Sequence, residues 1–170
     1  MNNVTKISAI ALFLLTAGFN ANAQSSATAT ATATIVTPIT ITKTTDMNFG
    51  NVAVQVGTGG TVVMTPAGLR SATSGVTLPG AAGTVAAASF TVNGQTGYTY
   101  AITLPTLVTL TNAASNTMQV DNFSSTPTST GNLTGGTEIL NVGATLNVGA
   151  AQAPGVYTSA TPFTVTVNYN

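Results

Sequence analysis

Asp46, Asp121 and Glu138 are the three acidic residues of this 170-residue chain, and Lys6, Lys43 and Arg70 are its three cations. Two carboxylates facing each other across a sugar could serve as the acid and the base or nucleophile of a glycosidase. The surroundings such a pair needs are thin, because there is no tryptophan to stack on a sugar ring and few cations stand nearby. Histidine and cysteine are absent. That removes serine–histidine and cysteine–histidine nucleophiles, thiolate redox chemistry and zinc–thiolate sites. Calcium takes carboxylate and carbonyl oxygens, but no stretch gathers several acids at ligand spacing. The "GTGG" of Gly57–Gly60 lacks a following lysine, so it is not a phosphate cradle. Beyond residue 23 only Lys43 and Arg70 are cationic, too few to neutralise a nucleic-acid backbone. The residues predict a non-enzymatic chain with no catalytic site, metal, cofactor or nucleic-acid partner. The acids read as solvated turn and strand-end groups.

The elements that carry the function must then be structural. At the N-terminus, Lys6 precedes the apolar "ISAIALFLLTAGF", which is too short to span a bilayer, and "ANA" at Ala21–Ala23 has the small-x-small form of a cleavage site. A signal peptide over residues 1–23 is predicted, with export to the periplasm, cell surface or medium. No later apolar run reaches transmembrane length. Threonine outnumbers every other residue while charged residues make up 4%. Threonine and valine suit a pleated sheet better than a helix. With no cysteine, an exported domain of this size must draw its stability from packing or from partners.

Period-2 alternation recurs along the chain. In the last eight residues, "FTVTVNYN", Phe163, Val165, Val167 and Tyr169 point one way and the polar residues the other. "EILNVGATLNVG" keeps Leu140, Val142, Ala144, Leu146 and Val148 in phase, "ASFTVNG" turns Phe90 and Val92 inward, and "GYTYAITLP" aligns Tyr98, Tyr100, Ile102 and Leu104. "TLVTLTN" with "TMQVDNF" forms a further strand pair, "TVVMTPAG" a short strand and "MNFGNVAV" a strand broken at Gly50. Residues 68–83 and 124–136 read as long loops, and Pro154-Gly155 as a type II turn. Residues 24–34, "QSSATATATAT", hold Ala27, Ala29, Ala31 and Ala33 on one face, in phase with Ile35, Ile39 and Ile41; Pro38 marks an edge or bulge. About seven to nine short strands between turns point to an all-β chain, an antiparallel Ig-like β-sandwich over 35–170. A membrane barrel is disfavoured by the short strands and sparse aromatics.

Three segments carry a resemblance: "TATIVTPITITKTTDMNFGNVAV", "FTVNGQTGYTYAITLP" and "LNVGATLNVGAAQAPGVYTSATPFTVTVNYN". Their layout resembles the family called domain of unknown function 4402, small exported bacterial proteins. It is also similar to spore coat U and fimbrial subunits assembled by the chaperone–usher route. Phe49-Gly50 match the opening segment of that pattern, and Gly155, Tyr157 and Tyr169 match its closing turn and penultimate tyrosine. The resemblance implies a fimbrial-subunit-like sandwich lacking one strand, with a groove beside Phe163, Val165, Val167 and Tyr169 that a neighbour's N-terminal extension fills. Residues 24–34 would be the donor strand. Two features depart from the pattern: this chain has no cysteine pair, and its donor offers alanines, whose four methyls supply only about 3 kcal/mol. The expected function is a structural subunit of a surface assembly, self-associating or joined to related subunits, with a periplasmic chaperone and usher as implied partners. The alternative is a self-contained module that binds a glycan or protein through the 68–83 and 124–136 loops.

Overall fold

Leu140, Val142, Ala144, Leu146 and Val148 alternate along one strand and all are buried, as a strand with one dry face requires. That strand is the centre of the fold. The computed structural model describes residues 24–170, which fall into a short unit ending at Thr34 and a domain of Ile35–Asn170. The predicted leader over 1–23 lies outside the described residues. Residues 24–34 are exposed and carry neither strand nor helix.

The domain is all-β. Its strands are β1 (Thr40–Thr45), β2 (Ala53–Val54), β3 (Gly60–Met64), β4 (Arg70–Ala72), β5 (Val76–Thr77), β6 (Ala88–Asn93) and β7 (Thr99–Thr103). There follow β8 (Leu107–Thr111), β9 (Thr117–Thr126), β10 (Thr130–Asn132), β11 (Thr137–Val148), β12 (Thr158–Ser159) and β13 (Thr166–Tyr169). Every pairing is antiparallel. An eight-stranded sheet runs β1-β6-β11-β9-β8-β12, with β3 and β4 attached to β11; a three-stranded sheet runs β10-β7-β13, and β2 pairs with β5. The result is a β-sandwich.

Along one side of β11, its first half pairs with β6 and its second half with β3, while β9 occupies the other side. Two hydrophobic clusters follow from that division. Beneath the first half, Phe90, Val92, Leu140 and Val142 meet Tyr100, Leu133, Val165 and Val167 of the small sheet and its loops. Beneath the second half, Val62, Met64, Ala144, Leu146 and Val148 meet Phe49 and Val76. Met47 and Phe123 pack against both. Phe123 reaches the interior because Asn122, at φ +47°, bulges β9 where its register against β11 shifts. Without that extra residue Phe123 would point to solvent.

Several predicted elements differ in extent. The predicted seven to nine strands become thirteen, since β2, β4, β5, β10 and β12 are only two or three residues long, too short for a periodic pattern to show. The 68–83 stretch is not one loop: β4 pairs with β3, β5 pairs with β2, and Val76 is core. The 124–136 stretch is likewise divided, by the end of β9 and by β10, with Leu133 fully buried. Upstream, Ile39 and Ile41 pack on the core but Ile35 is 92% exposed. The run of one face therefore stops at Pro38, which has no N–H to donate, and the ladder opens at Thr40.

Gly143 sits where β11 passes from β6 to β3. A Cβ there would overlap the carbonyl oxygen of Met64 and the backbone of Thr65. Gly143→Ala is expected to lower stability by about 1–3 kcal/mol through overpacking, read as a shift of the urea midpoint with an unchanged slope. A wild-type midpoint would show that the crossing relaxes freely.

Candidate functional site

The last strand has one paired and one open edge. Thr166, Val167, Asn168 and Tyr169 of β13 lie opposite Thr103, Ile102, Ala101 and Tyr100 of β7. The amide of Asn170 continues that ladder by donating to the Thr99 carbonyl at 3.3 Å. In an antiparallel pair alternate residues turn their N–H and C=O toward the partner. Asn170, Asn168 and Thr166 share that phase, so Val167 and Tyr169 turn their backbone groups to the other side. Within the domain no strand pairs with that side, since β13 ends its sheet.

The residues predicted for this strand are brought together as predicted from their alternation. Val165 and Val167 are 7% and 8% exposed, and Phe163 and Tyr169 are half-buried against the same cluster as Ile39 and Ile41. Phe163 rests on Phe123 with ring centroids 5.4 Å apart. The ladder itself begins only at Thr166, so residues 163–165 keep the alternation without pairing. They belong to a crossover: β12 pairs with β8, and the chain then leaves the large sheet at Ala160 to enter the small one. Its departure leaves Leu107–Thr109 of β8 without an outer neighbour, beside an open groove of about 620 Å3 lined by Leu107, Val108, Pro162 and Phe163.

Tyr169 pins the strand. Its hydroxyl donates to the Thr37 carbonyl at 2.7 Å and accepts from the Gln95 amide at 2.5 Å. Gln95 Oε1 in turn accepts from the amide and hydroxyl of Thr37 at 3.3 and 3.2 Å. The ring of Tyr98 meets that of Tyr169 edge-on at 5.6 Å; Tyr98, predicted on one face with Tyr100, is 44% exposed because it precedes β7, at the end of the β6–β7 turn. One phenol thus ties together the tail, the approach to β1 and the β6–β7 turn. β1, an edge strand of the large sheet, lies close alongside β13 without pairing to it.

Gly155 and Tyr157 position the crossover. Tyr157 donates to the Ala153 carbonyl and accepts from Gln152 Nε2, each at 2.8 Å. Gln152 also donates to the Thr117 carbonyl at 3.2 Å. Gly155 adopts φ +146°, positive but far from the value of about +80° of a type II turn, so the predicted tight turn is a wider bend. Ala27, Ala29, Ala31 and Ala33 all lie in the exposed unit that ends at Thr34.

The acids do not converge. Asp121 is opposite Thr145, and Glu138 lies seven residues before Thr145 on the same strand, about 23 Å along it. A glycosidase pair needs about 5–9.5 Å. Asp46 forms an ion pair with Lys43 at 2.7 Å, with β6 and β11 between its strand and that of Asp121. Glu138 points inward, not to solvent as predicted, and accepts from the Asn132 amide at 2.8 Å. Burial first, then the neighbouring Glu138 carboxylate, pushes the Tyr100 phenol well above its ordinary range. Its hydroxyl nevertheless has no hydrogen-bond partner of good geometry. Among the described residues no group of three acids gathers as a metal site, and no helix is long and apolar enough to cross a membrane.

A family model described as a domain of unknown function (DUF4402) matches residues 39–169. It spans β1 to β13. No curated protein and no solved structure gives a significant match.

The hydroxyls of buried Tyr100 and half-buried Tyr169 should respond differently to deletion. Tyr169→Phe loses two hydrogen bonds and leaves the Gln95 amide unpaired, a cost of about 1–3 kcal/mol in urea unfolding. Tyr100→Phe removes a hydroxyl that lies beside the Glu138 carboxylate without a well-formed hydrogen bond, and should leave stability within about 0.5 kcal/mol or raise it. Equal losses at both sites would contradict these assignments.

Proposed function

The chain belongs to the DUF4402 family, which carries no assigned activity, and we propose its function from the geometry. It is a non-enzymatic, exported structural subunit of a fimbria-like or coat-like surface assembly, whose copies join by β-strand exchange. One observation carries the reading: β13 packs its side chains into the core while the outward backbone groups of Val167 and Tyr169 have no strand paired with them.

The incoming strand is residues 24–34 of a neighbouring copy, which alternate and are exposed outside any ladder. A strand that pairs with the unpaired edge of β13 completes its hydrogen-bonding rim. It does not need bulky side chains. Val165, Val167 and Phe90 already fill the first cluster to 7–9% exposure, so the small face of Ala27, Ala29, Ala31 and Ala33 suffices. Each ladder bond contributes about 1 kcal/mol, and the methyls add about 3 kcal/mol together. Before assembly, a periplasmic chaperone covering the same edge would keep the subunit from premature pairing, and an usher would pass it to the growing end. The rival reading, a module binding through the 68–83 and 124–136 loops, has less free loop to work with, because β4, β5 and β10 hold those stretches in sheets.

Light scattering after size exclusion, with electron microscopy, tests the assembly. The wild-type protein is expected to form a ladder of oligomers. Deleting residues 24–34, or placing proline at Ala29 and Ala31 to remove ladder donors, should leave a folded monomer with unchanged circular dichroism. Wild-type monomer at high concentration, or polymers that survive both changes, would overturn the reading.

A further inference from the structure

The outer face of the large sheet holds a second feature, independent of the open edge. Val62, Leu146, Val120, Val108 and Leu110 all face the core, so their neighbours along each strand face solvent. Register then sets Thr61, Asn147, Gln119 and Thr109 side by side on β3, β11, β9 and β8. Thr73 extends the row, since its amide donates to the Thr61 carbonyl at 3.0 Å and the two hydroxyls meet at 2.7 Å. Five strand positions spaced about 4.8 Å apart therefore present only hydroxyls and carboxamides. On β9 and β11 the row borders a groove of about 420 Å3, where Asn147 and Gln119 are joined by Thr117 and by Gln152, whose carboxamide is itself bonded to Thr117, Tyr157 and Gly149.

We infer that this row and groove bind a neutral, polyhydroxylated glycan chain. The argument is one of charge and hydrogen bonding. None of these side chains is ionisable and the nearest charge on this face is Asp121, two residues from Gln119, so an anionic polymer is disfavoured, and a purely apolar partner would strand the amides without partners. Carboxamides both donate and accept, as do sugar hydroxyls, so the two surfaces can satisfy each other in either direction. No member of the row is aromatic, so hydrogen bonds, not ring stacking, carry the contact. The binding is accordingly weak and insensitive to salt.

Affinity electrophoresis of the purified protein tests this, using gels cast with dextran, starch or galactomannan and, separately, with anionic alginate. Slowed migration is expected in at least one neutral gel and not in alginate. Gln119→Ala with Asn147→Ala should weaken that binding about tenfold or more, from two lost hydrogen bonds. Both sites are at the surface, and unchanged circular dichroism checks the fold. Thr42→Val with Thr91→Val, elsewhere on the same face, should bind as wild type. Migration unaltered in every neutral gel, slowing in alginate alone, or a Gln119/Asn147 variant slowed like wild type would each overturn the inference.

Discussion

Main-chain hydrogen bonding on both sides of β11 is the constraint from which the rest of this structure follows. β11 is twelve residues long, and three strands share its two edges. Because β6 and β3 divide one edge between them, the strands on that side must part at Gly143, where backbone from β3 passes too close for any side chain. The parting splits the interior into two clusters. One is roofed by the three-stranded sheet and the other by the β2–β5 pair and Phe49. With no disulfide in the domain, its large sheet is held together by the pairing of β3, β6 and β9 with one central strand.

The small sheet has no such centre. It reaches the large sheet through side-chain packing, the β12–β13 crossover and the bonds of Tyr169, and it has only three strands. β7 is its middle strand, β10 covers one flank and β13 is left as the other. The tail is thus fixed strongly by its side chains and by Tyr169, yet only half fixed by its backbone. A strand in that condition is rigid enough to act as a template and open enough to accept another.

Much of this was legible in the sequence, because long strands with one buried face write a period of two. The alternation of Leu140 to Val148, of Phe90 and Val92, and of Phe163 to Tyr169 located the core faces correctly. What could not be read depends on pairing between distant residues. Two-residue strands such as β5 have no period, so Val76 looked like part of a loop. The bulge at Asn122 reverses the phase of Phe123 and can be seen only against β11. The hydrogen bonds of Tyr169 join residues up to 132 positions apart; its place beside the terminus was visible, but its partners were not. Glu138 followed the parity of Leu140, which a rule of charges outside would reject, and its contact with the Asn132 amide accommodates it.

The neighbouring edge strands β1 and β13 are guarded differently. Exposed edges invite unwanted pairing, and charges, especially lysine, or proline at an edge commonly discourage it. β1 carries both: Pro38 lies just before it, and Lys43, paired with Asp46, stands on it. β13 carries neither, only Thr166, Asn168 and Asn170 on its wet side. In a chain with so few charges, the placing of one of them on β1 and none on β13 leaves β13 the bare edge of the two. A bare edge is a liability for a domain that works alone, and it is a requirement for one that is completed by a neighbour.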